Sequence, residues 1–137
     1  MSGTDPTPAV ATGPCPCGTG APYRRCCGPL HRGERPAVTA EQLMRSRYSA
    51  YAVGDGGYLL RSWGAATRPR HVAIDTETTW TGLRILATTG GAMLDADGTV
   101  TFEAHHRTAD RDGVVRERSR FEREDGAWVY LGPDGPG

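Results

Sequence analysis

The chain has 137 residues, enough for one domain with a core plus a small appendage. Its sixteen basic residues are all arginine and are balanced by sixteen acidic ones, which argues against a generalised nucleic-acid binder. No run approaches the roughly 18 apolar residues of a membrane span, and Met1-Ser2-Gly3-Thr4-Asp5-Pro6 lacks the basic-then-apolar order of a secretory signal. The expectation is a cytoplasmic protein with no membrane association.

Residues 1–14, rich in Pro, Gly, Thr and Ala, have little to bury and read as a disordered tail. Every cysteine then falls within thirteen residues, Cys15, Cys17, Cys26 and Cys27, in the pattern C-x-C-x8-C-C. Four thiolates suit one tetrahedral Zn2+, and four protein ligands leave no position for water or substrate, so the site is structural. Pro16 stiffens the first pair, Gly18 and Gly20 let the loop bend back, and residues 22–27 read as a helical turn ended by Gly28-Pro29. Side chains of adjacent cysteines tend to diverge, so His31 is a candidate substitute for Cys26 or Cys27. Disulfides between the two pairs are the alternative, which a reducing compartment disfavours. Residues 15–35 form this knuckle and its link.

Thr39 with Gln42 forms a capping-box start for a helix reaching about Val53, with Met44, Tyr48 and Tyr51 on one face and Leu43 and Ala52 beside them. Gly54-Asp55-Gly56-Gly57 breaks it. A short helix from Tyr58 to about Trp63 follows, and residues 64–78 can hold another helical turn. The remainder alternates as antiparallel sheet: strands at 79–88, 99–108, 114–123 and 127–131, an apolar piece at Ala92–Leu94, and a tight hairpin at Glu124-Asp125-Gly126. Helices first and sheet afterwards predict an α+β domain over 36–132, with 133–137 a flexible tail.

The cysteine pattern resembles the SEC-C zinc motif of the SecA translocation ATPase. Leu43-Met44-Arg45-Ser46-Arg47-Tyr48-Ser49-Ala50-Tyr51, Tyr58-Leu59-Leu60-Arg61-Ser62-Trp63, Trp80-Thr81-Gly82-Leu83 and Glu117-Arg118-Ser119-Arg120-Phe121 resemble, in order, blocks of the YchJ family. The resemblance covers about residues 15–132. It implies a nuclear-transport-factor-2-like cone, N-terminal helices packed on a curled antiparallel sheet. Some members carry a second SEC-C motif at the C-terminus; none follows here.

In the strand at 114–123, Arg116, Arg118 and Arg120 share one face, which must meet water. Val115 and Phe121 therefore turn inward and take Glu117 and Ser119 with them. An inward carboxylate needs a partner, and Arg45 or Arg47 of the first helix can supply it as a structural ion pair. In the other reading, Glu117, Ser119, Tyr48, Trp63 and His106 line a ligand pocket in the cone with that arginine. No nucleophile, base and orienter can be read together, so no catalytic residue is assigned. Arg24, Arg25 and Arg32 make the knuckle basic, which suits docking of an acidic protein surface better than RNA; the resemblance to the SecA motif, a protein-docking element, implies the same. The leading expectation is a binding or adaptor protein that docks a partner through its knuckle, with homodimerisation through the sheet a further expectation. The alternative is a small-molecule binder or enzyme using the cone.

Overall fold

The computed structural model describes residues 13–134. Most of the two expected tails lies outside them, but the described ends are held: Pro14 bridges Pro22, and the Asp134 carboxylate meets Arg118 at 2.7 Å.

The knuckle opens the fold. A single 3-10 turn, Tyr23–Arg25, is followed by helix α1, Cys27–His31. The helix therefore runs through Gly28-Pro29 instead of ending there. Pro29 sits in its first turn, where a missing N–H costs no intrahelical bond.

Helix α2, Ala40–Val53, begins at Thr39, whose side chain accepts from the Gln42 amide at 3.0 Å. Gln42 Oε1 reaches back past the cap to the Val38 amide at 2.6 Å, one residue earlier than the Thr39 amide of a standard box. Gly54, at φ 81°, closes the helix in the left-handed region. Leu43, Met44 and Tyr48 are buried as the spacing predicts, whereas Ala52 is exposed. Helix α3, Gly56–Arg61, starts earlier than expected because Asp55 caps it, accepting from the Tyr58 amide at 3.0 Å. It also stops earlier. Trp63 lies beyond it, bridged to Tyr130. Residues 64–78 hold no helix; Val72 and Ile74 pack on the core from an irregular segment.

Four strands, β1 (Thr78–Gly90), β2 (Asp97–Thr108), β3 (Arg111–Glu124) and β4 (Ala127–Pro133), form one antiparallel sheet in sequence order. Two register shifts bend β1, between Trp80 and Gly82 and between Ile85 and Ala87, which increases local twist. The hairpin between β3 and β4 turns on Asp125 (φ 53°) and Gly126 (φ 84°), the positive-φ pair that a two-residue turn requires. The expected apolar piece at Ala92–Leu94 is an exposed turn, with Leu94 91% accessible. Asp95 Oδ2 accepts from the Ala92 amide at 2.9 Å and holds it away from the core.

Register decides what faces the helix. Val100, Phe102 and Ala104 of β2 are buried and stand opposite Ser119, Glu117 and Val115 of β3. This face packs against Leu43, Met44 and Tyr48 of α2, each buried apolar side chain contributing about 1.5–3 kcal/mol. Arg116, Arg118 and Arg120 of β3 lie on the exposed face. None of the described helices is long and apolar enough to cross a membrane.

Candidate functional site

The cysteine loop is shaped by its backbone. The Cys15 amide donates to the Ala21 carbonyl at 2.8 Å and the Gly18 amide to Cys15 at 3.1 Å, closing two turns that need Gly18 and Gly20 at φ 87° and 88°. Cys26 stands between the 3-10 turn and α1 with φ −111° and ψ −97°. That break lets two adjacent thiols point at the same spot. The sulfurs of Cys15, Cys17, Cys26 and Cys27 all lie within 4.8 Å of one another, and all four cysteines are free rather than paired as disulfides. A tetrahedral ion with sulfur at about 2.3 Å needs edges of about 3.8 Å; Cys17 and Cys26 are already 3.5 Å apart. The cluster fits a metal ion.

Hydrogen bonds to sulfur set the acidities. Cys15 and Cys27 hold the Cys17 thiol far below its ordinary range, and the same contacts, with burial, push Cys27 upward. Burial pushes Cys26 up to about 11 although Thr19 bonds its sulfur. Cys15 Sγ also meets Ser49 Oγ of α2 at 3.4 Å.

His31 is not a substitute ligand. Its Nε2 donates to the Ser46 carbonyl at 2.8 Å and its Nδ1 accepts from the Tyr23 hydroxyl at 2.5 Å, so both ring nitrogens are engaged. Arg45 likewise belongs to the knuckle. Its Nη1 donates to the Cys17 carbonyl at 2.6 Å and its Nε pairs with Glu41 at 3.0 Å. Arg24 and Arg25 are exposed on the 3-10 turn, while Arg32 is paired with Glu34 at 2.6 Å.

On the other side of α2 lies a cavity of about 290 Å³. The helix supplies Met44, Arg47, Tyr48 and Tyr51; the sheet supplies Phe102, Ala104, Val115, Glu117 and Ser119; Trp63, Trp80 and Tyr130 complete the wall. Helical phase explains the division. Arg47, Tyr48 and Tyr51 fall on one side of the turn, Arg45, Ser46 and Ser49 on the other.

Arg47 is only 3% exposed. Its Nη1 donates to the Leu59 carbonyl at 2.8 Å and to Ser62 Oγ at 2.7 Å, and its guanidinium lies 4.9 Å from the Trp63 ring centre and 4.4 Å from that of Tyr130. Burial lowers its proton affinity. The expected ion pair with Glu117 does not form, with Arg47 or with Arg45. Glu117 Oε2 instead accepts from Ser119 Oγ at 2.5 Å and from the Tyr130 hydroxyl at 2.9 Å. Burial, then the Glu117 charge, raises the Tyr130 pKa, and burial pushes Tyr48 up to about 12.

Of the residues expected in the pocket, Glu117, Ser119, Arg47, Tyr48 and Trp63 line the cavity. Arg45 and His106 do not. His106 lies behind Trp80, ring centres 5.4 Å apart, and packs so closely on Gly113 that a Cβ there would approach its Nε2 to 2.7 Å. Sequence reasoning missed Tyr130, although the signal was present. A two-residue turn at Asp125-Gly126 places Tyr130 opposite Phe121, already read as inward-facing. Tyr51 was placed on the apolar face of the first helix and Trp80 only within a family block, neither as a cavity residue.

The family description "YchJ, middle NTF2-like domain" matches residues 39–133. The chain belongs to the YchJ family. Its YchJ-family match starts at Thr39, the cap of α2, and covers both walls of the cavity. A UPF0225 protein of Streptomyces coelicolor is 52% identical over 121 residues, 88% of this chain and 94% of that one. Two solved SEC-C motif containing proteins share the fold. One from Rhodopseudomonas palustris has TM-score 0.78 and 32% identity over 91% of this chain and 100% of its own. One from Psychrobacter arcticus has TM-score 0.76 and 27% identity over 93% and 85%.

Proposed function

We propose that this YchJ-family protein binds a small molecule in the cavity between α2 and the sheet, with a structural zinc ion on Cys15, Cys17, Cys26 and Cys27 bracing the helix from behind. The observation that carries the reading is the cavity itself. A half-open cavity of about 290 Å³ lined by aromatic rings holds a buried guanidinium and a carboxylate. Ligand sites combine largely apolar walls with a few convergent polar groups in this way. Zinc is the ion that four thiolates in a tetrahedron favour, and a filled sphere gives it no chemistry beyond structure.

The test is a fragment screen by NMR on the full chain. Binders are expected to shift the indole signals of Trp63 and Trp80, and Val115→Trp, a change at a lining position that is 42% exposed, is expected to block them without unfolding the domain. Fragments that shift only surface signals overturn the reading. Native mass spectrometry of untagged protein checks the ion, with one zinc per chain expected.

A second reading is supported by Arg24 and Arg25. Both are exposed, and among the described residues neither side chain is hydrogen-bonded or ion-paired. They suit docking of an acidic protein surface. Replacing both by glutamate is then expected to abolish a partner interaction while zinc is retained; unchanged binding of every captured partner removes this reading.

A further inference from the structure

The balance of donors in the cavity points to the class of ligand. Arg47 is a buried cation with no carboxylate within ion-pair distance, and among the described residues its hydrogen bonds run through Nη1 alone. Arg47 lines the cavity, and its Nε and Nη2 carry no hydrogen bond there. The Trp63 indole, also lining the cavity, has its Nε1 buried with no acceptor. A buried donor left unpaired costs about 1–3 kcal/mol, and a buried charge without a counter-charge costs more. The rings of Trp63 and Tyr130 answer the guanidinium only in part.

Glu117 is better provided for: its Oε2 takes two hydroxyl donors, from Ser119 and Tyr130, and the residue is only half-buried. The groups in greatest need of a partner are therefore the deeply buried Arg47 and the unpaired Trp63 indole, and both call for an acceptor. The remaining wall, formed by Met44, Tyr48, Trp80 and Phe102, is apolar and aromatic. The volume stands at the lower end of the range for small-molecule sites, roughly 300–1,000 Å³.

We infer that the cavity takes a small aromatic carboxylate, its carboxylate meeting the Arg47 guanidinium and the Trp63 indole N–H and its ring lying among Tyr48, Trp80 and Phe102. This rests on the small-molecule reading above. A carboxylate matches a guanidinium edge with two parallel bonds, and the same group offers lone pairs to the indole. A neutral amide of the same shape supplies an acceptor but no charge. An amine supplies the wrong charge.

The test uses benzoate, benzamide and benzylamine with the full zinc-loaded chain, followed by the indole N–H signals in nitrogen-15 correlation spectra. The chain has three tryptophans, and Trp128 Nε1 already donates to the Val38 carbonyl at 3.1 Å, so its signal is an internal reference. Benzoate is expected to shift the Trp63 signal, leave Trp128 in place and bind at least about tenfold more tightly than either other compound. Glu117→Gln, which removes the nearby negative charge, is expected to tighten benzoate a few-fold.

If benzamide or benzylamine binds as tightly as benzoate at Trp63, the carboxylate inference falls and the cavity remains a small-molecule site. If none of the three moves Trp63 at millimolar concentration, the carboxylate inference falls, and the fragment screen decides the broader reading separately. If benzoate binds but Arg47→Lys, checked for folding by circular dichroism, leaves its affinity unchanged, the assignment of Arg47 as its partner is overturned.

Discussion

Arg47 and Glu117 share one cavity without an ion pair between them, because Tyr130 links the two. The Tyr130 ring lies 4.4 Å from the guanidinium, and its hydroxyl donates to Glu117 at 2.9 Å. Opposite charges are thus held apart by an aromatic ring that touches both, the cation through its face and the anion through its hydroxyl. A direct pair would have left little polar character for a ligand to address.

Replacing Glu117 by glutamine tests this arrangement. The amide accepts fewer hydroxyl donors than a carboxylate and presents an N–H₂ group of its own, so a loss of about 1 kcal/mol is expected in urea unfolding. Tyr130 is expected to ionise at lower pH, since the Glu117 charge and hydrogen bond contribute to its raised pKa. Burial remains, so the value stays above that of free tyrosine. An ultraviolet pH titration reads the tyrosinate signal, and an unmoved Tyr130 would show that the two do not interact.

Arg47→Ala removes two hydrogen bonds from a charged donor and the packing of two rings. A destabilisation of about 3 kcal/mol or more is expected from chemical denaturation. Arg45→Ala should be milder, about 1 kcal/mol. Its effect should concentrate in hydrogen exchange of residues 13–31, because its carbonyl partner is Cys17. Equal effects of the two changes would contradict their separation on the helix.

Metal content distinguishes ligands from neighbours. Cys17→Ser is expected to lose the ion and to lower the melting temperature, since metal binding in such knuckles is coupled to folding. His31→Gln is expected to retain one ion per chain while losing about 1–2 kcal/mol through its bonds to Tyr23 and Ser46. Loss of metal in the His31 variant, with the chain still folded, would return the histidine to the ligand set.

Burial lowers the His31 pKa below its ordinary 6.5. The unfolded chain then binds the proton more readily than the folded one. Stability is accordingly complete above about pH 6.5 and falls as pH drops below it, by at most about 1.4 kcal/mol per pH unit, until the folded histidine also protonates. Urea unfolding midpoints of the wild type and His31→Gln across this window should differ in slope, the wild type being steeper. Parallel slopes would mean that His31 does not titrate differently in the two states.

Local chemistry was the legible part of this chain. The capping box at Thr39 and Gln42, the Asp125-Gly126 turn and the alternation of β3 led to the right elements, and C-x-C-x8-C-C led to the cluster. Roles that depend on one element meeting another were harder. Arg45 and Arg47 were equal candidates for Glu117 by position, yet two residues along a helix is more than half a turn, and only Arg47, four residues before Tyr51, shares the Tyr51 side. His31 could be excluded only once the Ser46 carbonyl was seen against its ring. His106 has the inward parity of β2, but Trp80 from the neighbouring strand covers it, and pairing across β1 passes through a bulge that no alternation pattern reveals. Helix α3 ends at Arg61 with Ser62 as its C-cap, so Trp63 lies beyond it and its ring meets Tyr130.

Helix α2 is used from both sides, with Arg45, Ser46 and Ser49 reaching the knuckle and Arg47, Tyr48 and Tyr51 facing the cavity. One residue inserted or deleted ahead of these positions would rotate all of them together by about 100°. The helix would remain a helix, yet the cysteine loop would lose its anchors and the cavity its guanidinium in the same event. The spacing from the Thr39 cap to Arg47 is therefore a single phase shared by two distant structures. Neither can be retuned by a length change without dismantling the other.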